Sequence, residues 1–393
     1  VVVASSAVAY IDSQYVGGFA WILSRVSASS LFVNSDSPTQ IEYGLKIVSH
    51  LSQSQKGRRC IVENESLMTA LFQLLLKTNS SSTATDEVKL TPNVHFQKLL
   101  SIFEHLTHDQ SSLDTLLISN VDNLNFCTVI ETLLAKYELS VPNLATLTKC
   151  LSNITTSKKL DNINLFVKSN GIHSIQSALT LSSPSCFQSR LNIANSIANL
   201  SCFESLREEL IEKGCIDMLH NIASSHQTIE QHEPSTTTTT TTNNNNNNIN
   251  NNVNNHEVAP GLLSQIQVAR ALSHLVECES INKQLVELRW LNFYVRWSQL
   301  PQKQLRLFTG QILARLTRDE SLALIILQQV GEQVFVNLSD MVDVDVAELV
   351  DKCLVNLLRP DEKLARVDVD TVEFWVDKQF KVHQKQRKFT STN

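Results

Sequence analysis

The sequence predicts an all-α solenoid, a stack of about seven helical repeats wound as a right-handed superhelix. Three observations carry this. A short apolar phrase recurs seven times at the end of a helical stretch. Its copies begin at residues 47, 102, 150, 196, 271, 312 and 353, at intervals of 55, 48, 46, 75, 41 and 41. Only 9 glycines and 8 prolines punctuate 393 residues, which fits long helices with short connections.

The copies read IVSHLS at 47–52, IFEHLT at 102–107, CLSNIT at 150–155, SIANLS at 196–201, ALSHLV at 271–276, ILARLT at 312–317 and CLVNLL at 353–358. Around them apolar residues fall at helical spacing, as in Leu191, Ala194, Ile197, Ala198 and Leu200. One repeat of about forty residues cannot bury such a face alone, so neighbours must stack to close a shared core. Leu200, Leu275 and Leu316 hold one slot of the phrase and are expected to be buried. The β-branched residues do not alternate, which argues against a sheet.

The phrase and its sequel resemble the armadillo repeat, which ends its third helix on a small-apolar-x-Asn-Leu-Ser phrase. A short helix, a Gly-Ile turn and the start of another helix then follow. The fullest copy has Asn199, Leu200 and Ser201, then Leu206 to Ile211, Gly214 and Ile216. The copy before it continues through Leu165, Phe166, Asn170, Gly171, Ile172 and Leu179, and Gly331 fills the slot after Leu316. Glycine there supplies backbone angles that cost other residues strain. The first, second and fifth copies lack it. The resemblance spans roughly residues 38–360. The HEAT repeat, with a similar period, is the alternative.

The organisation expected is a segment 1–37, repeats over 38–223, an insert at 224–260, repeats over 261–360 and a C-terminal cap with basic tail at 361–393. The chain begins without methionine and reads as a fragment or a processed form. Val1–Leu23 is apolar but broken by Asp12 and Gln14, so it reads as a capping helix or as the end of a membrane span through which the chain would associate with a membrane. The insert holds Thr236–Thr242 and asparagines to Asn255, has almost nothing to bury, and is expected to be disordered. A shorter polar loop, Thr78–Pro92, explains the 55-residue interval. The tail pairs an apolar cluster, Val372, Phe374, Trp375 and Val376, with Lys378, Lys381, Lys385, Arg387 and Lys388.

A net charge of −6 gives no reason to expect a nucleic-acid partner. The 8 cysteines form no Cys-x-x-Cys pair and read as reduced, buried thiols of a cytoplasmic protein. No nucleophile elbow, phosphate loop or His-Glu-x-x-His motif is present. Glu104 with His105 and His108, and Cys202 with Cys215 and His220, are poor metal sets. No enzyme activity, cofactor or metal is expected.

In armadillo proteins the third helices line a concave groove. The resemblance implies that the fourth phrase residue, and the residue one turn before it, face that groove. Those pairs are Lys46/His50, Ser101/His105, Lys149/Asn153, Asn195/Asn199, Arg270/His274, Gln311/Arg315 and Lys352/Asn356. The positions hold five Lys or Arg, three histidines and no acid. In the family, asparagine in this slot clamps the backbone of an extended peptide; here Asn153, Asn199 and Asn356 occupy it. Import adaptors carry tryptophan one turn earlier, where this chain has Lys149, Asn195 and Lys352. The groove therefore suits an extended acidic segment of a partner protein. Lys149, Asn153, Asn195, Asn199, Arg270, His274, Arg315 and Asn356 are the expected protein-binding residues. A second expectation rests on architecture alone. Some membrane- or mitochondrion-associated serine hydrolases place a membrane segment and armadillo-like repeats before a lipase-like domain, and this chain would then be the targeting and regulatory part of one.

Overall fold

The computed structural model describes residue 33 and residues 37–77, 95–118, 125–225, 260–330, 333–339 and 344–357. The apolar segment Val1–Leu23, the loop Thr78–Pro92, insert residues 226–259, Gly331 and the cap and basic tail lie outside these residues. Among the described residues every regular element is helical and none is a strand. No described helix is long and apolar enough to cross a membrane.

Two compact units divide the chain, Val1–Phe203 and Glu204–Asn393. The first holds α1 (Pro38–Ser52), α2 (Gln55–Val62), α3 (Glu65–Leu76), α4 (Phe96–His108), α5 (Gln110–Ile118), α6 (Phe126–Lys136), α7 (Val141–Thr155), α8 (Leu160–Lys168), α9 (Gly171–Leu181) and α10 (Phe187–Ser201). The second holds α11 (Arg207–Glu212), α12 (Cys215–Ser225), α13 (Pro260–Leu275), α14 (Asn282–Leu285), α15 (Leu288–Gln299), α16 (Lys303–Leu316), α17 (Glu320–Val330), α18 (Gln333–Ser339) and α19 (Val344–Leu357). After α1 the first unit is three triplets, α2 to α4, α5 to α7 and α8 to α10. The second unit is three more, ending on α13, α16 and α19.

The seven phrases fall on α1 and on the third helix of each triplet. In the first unit α1 packs on α4, α4 on α7 and α7 on α10; in the second, α13 packs on α16 and α16 on α19. The second helices follow suit, α3 on α6 and α6 on α9, and α15 on α18. The fifth phrase residue is buried in all seven copies, and Leu200, Leu275 and Leu316 are 0% exposed. Each such leucine removes enough apolar area from water to contribute about 1.5–3 kcal/mol. Both long intervals have one structural address. The loop after α3 and the insert after α12 each join the second helix of a triplet to its third. The insert thus sits inside a repeat of the second unit, and the boundary between units falls earlier, after Phe203.

The residue two places after the phrase decides how the next first helix begins. Ser54 accepts from Gly57 N, Asp109 from Ser112 N, Ser157 from Lys159 N, and Asp319 from Ser321 N and Leu322 N. Such oxygens satisfy amides that a helix start leaves unpaired. Where the slot holds Phe203 or Cys278 no such acceptor exists. There the chain makes a 3-10 turn, Glu204–Leu206 or Glu279–Ile281, before only a short α11 or α14. At the other joint, Arg190 and Arg306 reach back to the ends of the second helices. Arg190 donates to the carbonyls of Ser182 and Ser183, and Arg306 to those of Gln299 and Leu300.

The glycine turns divide into two kinds. Gly214 has φ +76° with open space around it, as a left-handed turn requires. Before α9 the left-handed residue is Asn170, at φ 61°, and Gly171 serves another purpose. A Cβ on Gly171 would stand 2.4 Å from the Phe166 ring, so glycine lets α8 and α9 approach.

Candidate functional site: the third-helix rows

Lys149 and Asn153 lie on α7, Asn195 and Asn199 on α10, Arg270 and His274 on α13, Arg315 on α16 and Asn356 on α19. Each unit therefore carries its own row. Lys149, Asn195, Arg270, His274, Arg315 and Asn356 are half-buried, whereas Asn153 is only 6% exposed.

The asparagines bond the preceding repeat. Asn153 Nδ2 donates to Thr107 Oγ1 at 3.2 Å and to Glu104 O at 3.4 Å, both on α4. Asn199 Nδ2 donates to Thr155 Oγ1 on α7 at 3.3 Å. Asn356 Nδ2 donates to Thr317 Oγ1 and Ala314 O, each at 3.3 Å. His105 takes the same place, with Nδ1 2.9 Å from Ser52 Oγ on α1. One rule covers all four: the fourth phrase residue bonds the hydroxyl at the sixth phrase position of the preceding repeat. The rungs satisfy polar groups inside the stack, where an unpaired one costs about 1–3 kcal/mol. Both amide hydrogens of Asn153 and Asn356 are engaged by the preceding repeat, so these side chains tie repeat to repeat. Asn199 shares the role through its bond to Thr155.

The rung fails once within the second unit. Val276 holds the sixth position before α16 and has no hydroxyl, and the fourth position there is Arg315, whose Nε lies 3.6 Å from Glu277 Oε2. A second rung of similar kind strengthens the α7–α10 contact, where Asn192 donates to Ala145 O at 3.1 Å and Thr148 Oγ1 at 3.2 Å.

The charge row is less one-sided than the fourteen positions imply. Lys46 pairs with Glu42 one turn earlier at 2.9 Å, and Glu348 lies one turn before Lys352. Arg270 Nη1 donates to Gln267 Oε1 at 3.0 Å. Burial, aided by Arg207 and Arg270, holds the His274 imidazole below its ordinary value of 6.5.

Among the described residues no three His, Cys, Asp or Glu side chains are placed to hold a metal. His105 is engaged with Ser52, and the His220 ring packs edge-on against Trp290 at 5.2 Å and Phe293 at 5.7 Å. Six thiols are buried, Cys60, Cys127, Cys150, Cys186, Cys215 and Cys353, but Cys202 is exposed and Cys278 half-exposed, so the expectation of uniform burial is corrected for those two. Burial pushes Cys127, Cys150, Cys215 and Cys353 up to about 12.

No protein-family model matches the chain, and no curated protein matches it significantly. Solved structures do. One is an engineered protein from the Northeast Structural Genomics Consortium, 14% identical, covering 96% of this chain and 88% of that one with a TM-score of 0.51. Another comes from work on a conserved phosphorylation switch controlling the interaction between cadherin and beta-catenin. It is 14% identical, covering 87% of this chain and 57% of that one with a TM-score of 0.58. A designed armadillo repeat protein is 12% identical, covering 74% of this chain and 99% of that one with a TM-score of 0.49. At such identities the likeness concerns the fold. The phrase-bearing third helix, the three-helix repeat and the two neighbours with TM-scores of 0.51 and 0.58 together make the fold of this chain an armadillo-like helical repeat.

Proposed function

We propose that the chain is a non-enzymatic scaffold that binds an extended, acidic segment of a partner protein along its third helices. The observation that carries this is a division of labour on those helices. The fourth phrase residue faces the preceding repeat, whereas the residue one turn before it, Lys149 on α7, Arg270 on α13 and Lys352 on α19, keeps solvent exposure and is cationic. Partner recognition thus rests on Lys149, Asn195 and Arg270, with Arg315 at a fourth position that makes no rung, and less on the asparagine ties. The solved structure with the higher TM-score concerns a contact between two proteins, cadherin and beta-catenin, which agrees with a binding role.

Fluorescein-labelled acidic peptides, titrated by anisotropy, test this. Lys149→Glu and Arg270→Glu, each with an unchanged thermal melt, are expected to weaken binding about 3- to 10-fold. The wild-type affinity is expected to fall as salt rises, because solvent-exposed charges are screened. Affinity unchanged in both variants would remove the third-helix rows from the binding surface.

A further inference from the structure

The second unit holds a depression of mixed charge. It lies between α16 and α19, is open to solvent, and measures about 520 Å³. Its apolar lining is Ala314 and Val355, the latter 61% exposed. Around them stand two cations, Arg318 and Lys352, and two acids, Glu348 and Asp351. Glu348, Asp351 and Val355 follow one another at three- and four-residue spacing, so they share one face of α19. Asn356 completes the lining, and its chemistry there is restricted. Both its amide hydrogens are engaged by Thr317 and Ala314, so toward a ligand the side chain offers an acceptor oxygen only. Glu348, Asp351 and Asn356 thus make an acceptor-rich wall over an apolar surface, a setting for a long side chain with methylenes and a charged donor at its tip.

The row on the neighbouring helices carries no acid. Within this unit α13 carries Arg270 and His274 and α16 carries Arg315, whereas α19 adds two carboxylates, Glu348 and Asp351, beside Lys352. We propose that the segment bound by this unit is bipolar: acidic residues lie along α13 and α16, and one basic side chain of the same segment enters the α16–α19 depression. Its stem lies over Val355 and Ala314, and its charge meets Glu348 and Asp351. Arg318 and Lys352 beside that wall repel a second basic residue, so the depression admits one cation rather than a basic run. This inference rests on the third-helix reading above and adds the charge order of the ligand.

Three labelled peptides separate the two ideas: an all-acidic peptide, and two of equal length with one arginine before or after the acidic block. In wild-type protein one of the two arginine peptides is expected to bind at least about threefold tighter than the all-acidic one, the size expected of exposed ion pairs. In the isosteric double variant Glu348→Gln/Asp351→Asn that gain should vanish, while the all-acidic peptide binds as before or better. If arginine adds nothing at either end, or if the gain survives in the double variant, the basic-residue site is refuted and the acidic groove stands. If none of the three peptides binds wild-type protein, the groove reading falls and this inference falls with it.

Discussion

The two units solve one packing problem by different means. In the first, consecutive third helices are tied by polar rungs, Ser52 with His105, Thr107 with Asn153 and Thr155 with Asn199. Its aromatic contacts include a stack of Phe72, Phe103 and Phe126 drawn from three helices. In the second, the rung between α13 and α16 is missing, and one helix, α15, supplies Trp290, Phe293, Tyr294 and Trp297. Trp297 Nε1 donates to Gln265 Oε1 on α13 at 3.1 Å, replacing the lost polar tie from a different helix. A cross-repeat bond thus recurs in both units, but its position along the helices differs.

That contrast can be broken at its apolar end first. Trp297→Ala is expected to cost about 3–5 kcal/mol in denaturant unfolding, because it opens a cavity and strands Gln265. Next in size is the polar end. Asn153→Ala should cost about 1–3 kcal/mol, since Thr107 and the Glu104 carbonyl lose their donor. A double-mutant cycle with Thr107→Val should show coupling of at least about 0.5 kcal/mol. The contrast can also be erased. Val276→Thr with Arg315→Asn writes the missing rung into the second unit and is expected to add about 0.5–1.5 kcal/mol.

The smallest effect is that of pH. Burial is the main cause that holds His220 and His274 below their ordinary value of 6.5. Around His220 stand Arg289, Asp217 and Glu287; around His274 stand Arg207, Arg270 and Glu277. The unfolded chain then takes up protons that the folded second unit refuses. Stability is full above pH 6.5 and declines as pH falls through 6.5 toward the lower folded values. The first unit has one such histidine among its described residues, His95. Amide exchange at pH 7.5 and 5.5 should therefore show protection lost more in α12, α13 and α15 than in α7 and α10, and His220→Gln should reduce the difference.

The repeat, its period and the buried fifth position were legible because each copy answers to the same core. Reading down the copies shows what they share, but not what the fourth position bonds. Asn153, Asn199 and Asn356 hold one slot, and each bonds a residue in the copy before it. The signal was diagonal: a hydroxyl at position six of one copy accompanies Asn or His at position four of the next, and Val276 accompanies Arg315. Side-chain pairing between copies has no periodicity of its own, so helical spacing could not reveal it. The capping slot was equally readable in principle, since Ser54, Asp109, Ser157 and Asp319 are ordinary helix starters and Phe203 and Cys278 are not. Glu42 and Glu348 lie one turn before Lys46 and Lys352, outside the pairs that the phrase defines.

The central claim is that position four holds repeat to repeat while the residue one turn earlier meets the partner. Measuring both stability and acidic-peptide affinity on Asn153→Ala and Lys149→Glu tests it most directly. The account predicts that Asn153→Ala lowers stability by about 1–3 kcal/mol and leaves affinity unchanged, while Lys149→Glu leaves stability within about 0.5 kcal/mol and weakens binding. The reverse pattern, a stable Asn153→Ala protein that no longer binds and a Lys149→Glu protein that binds as before, would contradict it.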